Sequence, residues 1–373
     1  MKINDFKLEC HFGRYEFTAP YLLTQSDCES MSVKELLDME PGAQEQYLNQ
    51  WLGYTETWGN PELRKLISEL YKDMKEENIL VFHGAQEAIL AYMNVVLEEG
   101  DHMIAMYPNY QSSYEIANSI PNCEFSKWNI RDNGEWEMDF DELESLIRPN
   151  TKLIAVNSPN NPTGYTFTNE EIKKLCEICK KHDIYLFADE VYKGLEFGGE
   201  KRDWFADYYD KCVSLGVMSK AYGLAGIRIG WIASKDTELL NKLVKFKHYT
   251  SICCSAPSEF LAIVALKHGE IILEKNIKII KDNLKLVDEF FAQYPTLFEK
   301  KSITCGPVAY HKLLIDMPVK EFCQLAVDKK GVLLLASDIF DMDNQYFRMG
   351  YGRKGVAKSL EKFKEFLIEE KFI

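Results

Sequence analysis

The chain has 373 residues, of which 46% are hydrophobic and 27% charged, a composition typical of globular proteins with two or three domains. Its formal net charge of −14 argues against a protein that grips nucleic acid, but a small anionic ligand remains compatible with it. The chain start has no apolar core of signal-peptide type, and no run reaches the roughly 18 apolar residues of a membrane span. We therefore expect a cytoplasmic protein without a membrane partner, whose ten cysteines stay reduced.

Short apolar runs alternate with helical periodicity up to about residue 269. The runs predict strands over Ile79–His83, His102–Met106, Leu153–Val156, Ile184–Ala188, Cys212–Met218 and Ile229–Ala233. Amphipathic helices are predicted between them, over Ala85–Glu98, Asn169–His182 and Thr237–His248. This alternation predicts an α/β fold whose large domain, residues 40–270, has a mostly parallel seven-stranded sheet covered by helices. Cys176 and Cys179 face the apolar side of their helix without a second pair at matching spacing, so we expect core packing and no metal site.

The pattern changes after Gly269. A long helix is predicted over Glu270–Tyr294, and Pro295 ends it. Strands are then predicted over Ala309–Ile315, Val332–Leu335 and Tyr346–Gly350, with helices over Val319–Lys330 and Val356–Glu370. We expect a smaller α+β domain built from both chain ends, residues 1–39 and 271–373.

Ligands of parallel α/β sheets bind at the carboxyl ends of the strands, so the residues after each strand are the candidates for chemistry. Gly84-Ala85-Gln86 opens a helix whose free N–H groups suit an anion, although a simple turn is an equally good interpretation. Tyr110 follows the second strand and either stacks on a flat ligand ring or packs in the core.

Three later strand ends carry stronger signals. Asn157–Gly164 is a turn unusually dense in amide groups. Asp189 ends an apolar run, and a buried carboxylate there needs a cationic partner such as a protonated ring nitrogen. Lys220 follows another apolar strand and suits an amine nucleophile, and Arg228 offers a bidentate fork for phosphate.

Taken together, these motifs resemble a known family. The strongest are Asn161-Pro162-Thr163-Gly164, Asp189-Glu190-Val191-Tyr192 and Ser219-Lys220-Ala221-Tyr222-Gly223-Leu224-Ala225-Gly226-Ile227-Arg228. The chain resembles the fold type I enzymes that depend on pyridoxal 5'-phosphate (PLP), and among them the class I/II aminotransferases, from about Tyr54 to Arg348. The resemblance implies ping-pong transfer of an amino group between an amino acid and a 2-keto acid.

The resemblance also implies a role for each central residue. Lys220 would hold the cofactor as a Schiff base and move the substrate proton, and Asp189 would keep the pyridine nitrogen protonated. Asn161 and Tyr192 would hydrogen-bond the ring hydroxyl, and Tyr110 would stack on the ring.

Other positions match residues that hold the two anionic groups. The cofactor phosphate would be bound by Ala85, Gln86, Ser219 and Arg228, with Tyr54 contributed from a neighbouring subunit. That role of Tyr54 implies a homodimer with shared active sites.

Arg348 would bind the substrate carboxylate, and Asn161 would also contribute to substrate binding. The resemblance further predicts cis bonds before Pro108 and Pro162. The chain departs from the family at Val217, where a hydroxyl residue is usual, and at the Ser26–Glu29 turn, where many members have glycine.

We compare two other functions with transamination. The same cofactor supports elimination, decarboxylation or a cyclisation like that of capreomycidine synthase, so other PLP chemistry is the alternative to transamination. A non-catalytic regulator or scaffold is disfavoured, because the chain is acidic and retains Lys220, Asp189 and Arg228 together.

Overall fold

The computed structural model describes residues 3–373. Its strands are β1 (Tyr21–Leu22), β2 (Ile79–Phe82), β3 (His102–Tyr107), β4 (Glu124–Asp132), β5 (Trp136–Met138), β6 (Thr151–Asn157), β7 (Tyr185–Asp189), β8 (Cys212–Val217), β9 (Gly230–Ala233), β10 (Phe298–Glu299), β11 (Val308–Leu313), β12 (Val332–Leu333), β13 (Leu335–Ala336) and β14 (Tyr346–Gly350). Its helices are α1 (Lys7–Tyr15), α2 (Val33–Leu37), α3 (Ala43–Leu48), α4 (Pro61–Ser68), α5 (Gly84–Val96), α6 (Ser112–Glu115), α7 (Phe140–Leu146), α8 (Asn169–His182), α9 (Thr237–Lys247), α10 (Ala256–Lys267), α11 (Gly269–Ala292), α12 (Val319–Lys330) and α13 (Val356–Glu369).

An eight-stranded sheet, in the order β2-β9-β8-β7-β6-β3-β4-β5, forms the centre of the fold. β4, β3, β6, β7 and β8 run parallel, whereas β9 and β5 are antiparallel to their neighbours. The structure confirms the mostly parallel sheet and corrects the predicted number of strands from seven to eight. Two of the eight, β4 and its hairpin partner β5, are not among the six strands located from the sequence, and they are joined through an Asn133-Gly134 turn in which Gly134 has a φ of 98°.

Burial on both faces explains why the central strands are continuous apolar runs. Every residue of β2, β3, β8 and β9 is buried, as expected for strands covered by helices on both sides. α8 begins with a capping box between Thr168 and Glu171, and its buried face includes Cys176 and Cys179. All ten cysteines are unpaired, and these two belong to the core cluster.

A second sheet, in the order β10-β11-β14-β13, is built from the last quarter of the chain. The N-terminal segment joins this part, because β1 pairs in parallel with β12 through Tyr21↔Val332 and Leu22↔Leu333. α2, in contrast, packs against α10 of the larger part. The small α+β layer built from both chain ends is therefore present, and the domain boundaries near residues 40 and 270 stay predictions.

Helices α8 and α12 and strand β14 have the predicted bounds, and most other predicted elements differ by a few residues at their ends. The single strand predicted over Val332–Leu335 is wrong, because the chain changes pairing partner there: β12 pairs with β1, and β13 pairs with β14. The peptide bonds before Pro108 and Pro162 are cis, as the resemblance implies, and the bond before Pro159 is cis as well. Across the described residues, none of the helices combines the length and apolar character that crossing a bilayer requires.

The chain from Gln25 to Cys28 packs against two glycines at the end of β14: Gly350, its last residue, and Gly352, two residues further on. A Cβ on Gly350 would overlap the carbonyl oxygen of Gln25, and one on Gly352 would overlap that of Asp27. Because these positions are glycines, the N-terminal segment can approach the carboxyl end of β8, where Cys28 N–H donates to the Lys220 carbonyl at 3.3 Å.

We predict that Gly350→Ala lowers the free energy of unfolding by about 1–3 kcal/mol, because the methyl group has no space beside the Gln25 backbone. Gly13→Ala is the matched control. A Cβ on Gly13 meets nothing within 4 Å, and alanine favours the helix, so this variant should lose no stability. Denaturant unfolding measures both, and equal stability of the two variants would contradict the packing argument.

Candidate active site

A cavity of about 540 Å³ opens at the carboxyl ends of the parallel strands. It gathers most of the predicted site residues, namely Ala85, Gln86, Tyr110, Asn161, Asp189, Tyr192, Ser219, Lys220 and Arg228. They lie at or after the ends of β3, β6, β7 and β8 or in the first turn of α5, which is the usual location of ligand sites in such sheets. The cavity therefore unites groups that are as far apart in sequence as Ala85 and Arg228.

Asp189 is the last residue of β7, and its carboxylate is buried in the cavity wall. Burial raises its pKa to about 7, although a hydrogen bond from Val191 N–H and the charge of Lys220 both oppose the rise. No cation lies within 4.0 Å of this carboxylate among residues 3–373. A carboxylate held in this way favours a cationic ligand atom beside it.

Lys220 lies three residues beyond the end of β8, on the same cavity wall. Its Nζ donates to the Ser26 hydroxyl at 2.9 Å, so the N-terminal segment holds the amine in place. Ser26 and Asp27 both line the cavity, which brings the predicted Ser26–Glu29 turn into the site. Val217 and Ser219, close to Lys220 in the sequence, also line the cavity.

The first turn of α5 forms the end of the cavity suited to an anion. Its N-cap, His83, makes no side-chain cap, so the N–H groups of the first turn remain available. The Arg228 guanidinium comes so close that a Cβ on Gly84 would lie 2.5 Å from Nη2. A helix start, an arginine and a hydroxyl at Ser219 are a donor set for a phosphate group.

Arg348 lies in β14 and is fully buried, behind the cavity rather than in its wall. Its Nη1 donates to Asn161 Oδ1 at 2.7 Å, and its Nη2 donates to the Thr24 carbonyl at 2.7 Å. Its buried Nε has no partner in the described chain. Burial lowers its pKa to about 10, so the guanidinium stays charged near neutral pH.

The two predicted aromatic residues lie on the cavity wall. Tyr110 donates its hydroxyl to Glu9 Oε1 at 2.7 Å and meets Phe6 edge-on at 4.9 Å between ring centroids. Tyr192 is buried beside the Asp189 strand end. Tyr110 precedes α6 rather than beginning a helix, because α6 starts at Ser112.

Tyr54 does not reach the cavity of its own chain. Its side chain is 85% exposed and lies in a segment whose apolar side chains Leu48, Trp51 and Leu52 are also exposed. The proposed contact of Tyr54 with a neighbouring subunit is compatible with this placement and stays a prediction.

Several cavity residues lay outside the sequence analysis. Glu9 on α1, Glu16 at the C-terminal cap of that helix, and the ion pair between Asp27 and Arg353 line the opening. Asn157 Oδ1 accepts from Asn161 N–H at 2.7 Å and fixes the amide-rich turn. Residues 9, 12 and 16 are spaced to lie on one face of a helix. Because that face combines two carboxylates with one aromatic ring, it has no apolar stripe by which the sequence would identify it as packed against the protein.

These residues fit a planar, phosphorylated ring that carries a positive nitrogen. The unpaired Asp189 carboxylate suits the nitrogen, and the α5 start with Arg228 suits the phosphate. Lys220 stands on the same wall as a primary amine.

Comparisons with known proteins identify the family of the chain. The family described as "Aminotransferase class I and II" matches residues 22–360. A solved PLP-dependent aminotransferase from Streptococcus suis is 32% identical, with a TM-score of 0.93 and 99% of each chain covered.

Two curated relatives are more distant. A probable aspartate aminotransferase of Methanocaldococcus jannaschii is 28% identical over 248 residues, 63% of this chain and 64% of the relative, so the match spans less than two thirds of its length. Capreomycidine synthase of Streptomyces vinaceus is 23% identical over 293 residues, 79% of this chain and 75% of that enzyme.

The family match covers most of the chain, and the structural relative covers almost all of it. The cavity provides the groups that a phosphorylated pyridine cofactor requires. The chain therefore belongs to the class I and II aminotransferase family of PLP-dependent transaminases.

Proposed function

We propose that the protein transfers an amino group from an amino acid to a 2-keto acid in ping-pong order, with Lys220 as the residue that bonds the cofactor. The observation that carries this proposal is the convergence on one cavity of Lys220, the buried Asp189 and the Arg228–α5 anion site. Arg348, buried behind the same cavity, adds a second anion site for a substrate carboxylate.

The bound cofactor would supply an electron sink for the pair left at the substrate α-carbon. Asp189 keeps a proton on the ring nitrogen, because its buried carboxylate is stabilised by a positive partner. Ala85, Gln86, Ser219 and Arg228 hold the phosphate.

With the cofactor bound, Lys220, whose Nζ is held by Ser26, would move the proton of the substrate α-carbon, which is general acid–base work by a positioned amine. Arg348 binds the α-carboxylate, and Asn161, bonded to it at 2.7 Å, links the substrate site to the ring site. Tyr192 and Asn161, which line the cavity, would hydrogen-bond the ring hydroxyl, and Tyr110 would cover the ring face.

A homodimer with shared active sites is part of this proposal. Support comes from the exposed apolar side chains of Leu48, Trp51, Leu52 and Tyr54, together with Tyr249, which is 93% exposed. Large apolar side chains concentrated on a surface mark interaction sites. Tyr54 would then reach the cofactor phosphate of the partner subunit. The cytoplasm is the proposed compartment, and the ten unpaired cysteines support it.

The function is tested by single half-reactions. The cofactor-loaded protein is mixed with a panel of L-amino acids, and the cofactor spectrum is followed. A transaminase converts the spectrum with a good donor and recovers it when a 2-keto acid is added. Release of ammonia or carbon dioxide, or a cyclised product without any acceptor, would instead favour the alternative that the capreomycidine synthase relative supports.

Replacing the amine tests the role of Lys220. Lys220→Ala should reduce turnover at least about 1,000-fold, because it removes both the covalent attachment and the proton carrier. Lys245→Ala removes an exposed lysine on α9 and should leave turnover unchanged. Normal turnover by Lys220→Ala would show that the assignment is wrong.

Asp189→Asn should have opposite effects on the cofactor-free and the cofactor-loaded protein. The folded-state pKa of Asp189 is raised, so the folded protein binds its proton more tightly than the unfolded chain does. Its carboxylate therefore costs stability increasingly as the pH rises from about 4 to about 7. Without cofactor, Asp189→Asn should gain about 1–3 kcal/mol in free energy of unfolding at pH 8 and much less at pH 4.

With cofactor, the same variant should bind PLP more weakly and lose at least about 100-fold in turnover, because asparagine cannot neutralise the ring nitrogen. Thermal unfolding at both pH values and cofactor titration measure these effects, with Asp210→Asn as an exposed control. A loss of stability at pH 8 in the cofactor-free variant would contradict the assigned burial cost.

If the exposed apolar segment around Trp51 forms the dimer interface, a charge introduced there should weaken the dimer. Trp51→Glu should shift the protein towards monomers in sedimentation velocity and weaken PLP binding in parallel, because Tyr54 leaves the partner's site. Ile368→Glu places the same charge at an exposed position on α13 and should leave the dimer intact. A Trp51→Glu protein with unchanged mass and cofactor affinity would rule out this interface.

A further inference from the structure

One face of helix α1 forms part of the cavity wall. Glu9, Phe12 and Glu16 all line the cavity, and their spacing of three and four residues places them on the same side of the helix. α1 is fixed there by hydrogen bonds to the chain after β3: Lys7 N–H donates to Gln111 Oε1 at 2.9 Å, and the Tyr110 hydroxyl donates to Glu9.

The charges of the cavity do not cancel. Asp189, Lys220 and Arg228 serve the cofactor in the proposed function. Asp27 and Arg353 neutralise each other, because Nε and Nη2 of the arginine donate to the two carboxylate oxygens at 2.9 and 2.7 Å.

Two carboxylates remain, those of Glu9 and Glu16. Glu9 accepts only the neutral Tyr110 hydroxyl, and Glu16 accepts the Gln25 amide at 3.2 Å. Neither has a cation within 4.0 Å among residues 3–373. Neither therefore forms an ion pair at the cavity, and each acts on an arginine only through space, Glu9 on Arg348 and Glu16 on Arg353.

The two carboxylates lie next to the site for a substrate carboxylate. Phe12, between them on the helix, faces the Arg348 guanidinium carbon at 5.8 Å from its ring centroid. Arg348 is fully buried and its Nε has no partner, which independently points to an anionic ligand at this place. A substrate bound there by its α-carboxylate would extend its side chain into the cavity that Glu9 and Glu16 border.

We propose that the amino donor is an amino acid with a cationic side chain, a guanidinium or a second amine, and that Glu9 and Glu16 bind that cation. The proposal rests on the proposed transaminase function. A dicarboxylic donor fits less well, because its second carboxylate would meet two like charges. Arg353, the cavity arginine that could offset them, is already paired with Asp27.

A binding experiment separates this proposal from turnover. δ-Guanidinovalerate has the carboxylate and guanidinium of arginine but no α-amino group, and δ-ureidovalerate is its neutral counterpart. The cofactor-loaded protein should bind the guanidino compound at least about tenfold more tightly, and the preference should shrink at high salt.

Variants locate the charge. The double variant Glu9→Gln, Glu16→Gln should remove the preference for the guanidino compound and keep the affinity for the ureido compound. Glu45→Gln removes one exposed carboxylate on α3 and should change neither affinity. Equal affinity for the two compounds in the unaltered protein, or tighter binding of adipate than of either, would overturn the proposal.

Turnover gives the second readout. Arginine should exceed citrulline and aspartate in kcat/KM, and the double variant should raise the KM for arginine about tenfold with kcat changed less than about twofold. A preference for aspartate would refute the cationic donor while leaving the transaminase intact. Selective binding of the guanidino compound without conversion of any donor would instead refute the transaminase and leave the cation site standing.

Discussion

A carboxylate at the end of a buried strand is stable only when another group compensates for the water it has lost, and Asp189 has little such compensation within its own chain. A backbone N–H from Val191 and the field of Lys220 leave its pKa at about 7. The rest of the site is consistent with this one unmet requirement: a cavity wide enough for a flat ring, and an anion site formed by α5 and Arg228. The sheet creates the requirement, because parallel order places the ends of β6, β7 and β8 side by side.

The next residue, Glu190, is also a buried carboxylate, but it lines a different cavity from Asp189. Its carboxylate is also buried, and burial raises its pKa to about 8, yet it is bonded to Ser214 and has Lys193 at 3.8 Å. It borders a different cavity, of about 620 Å³, on the other side of Val191. Two consecutive carboxylates thus share burial but differ in partners, and Asp189, which has no cation within 4.0 Å in the described residues, is the one that faces the proposed cofactor.

Sequence patterns predicted the features that depend on continuous burial. The central strands are uninterrupted apolar runs, so both the strands and the polar residues that end them could be located, including Asp189 and Lys220. β4 was missed because only Trp128 and Ile130 of its nine residues are buried, so it is not an apolar run. The antiparallel course of β9 depends on pairing that no local pattern encodes. The wall formed by α1 was missed for a related reason, since Glu9 and Glu16 become meaningful only when the helix lies against the cavity.

The way Arg348 is held has a consequence for recognition. Of its five N–H groups, one is donated to Asn161 and one to the Thr24 carbonyl, which leaves three for a ligand and fixes the plane of the guanidinium beforehand. Immobilising a long side chain on binding costs about 0.5–1.5 kcal/mol, and here folding has already met that cost. Discrimination at this position therefore depends on shape as well as charge: a lysine would supply the charge but not a plane fixed in advance.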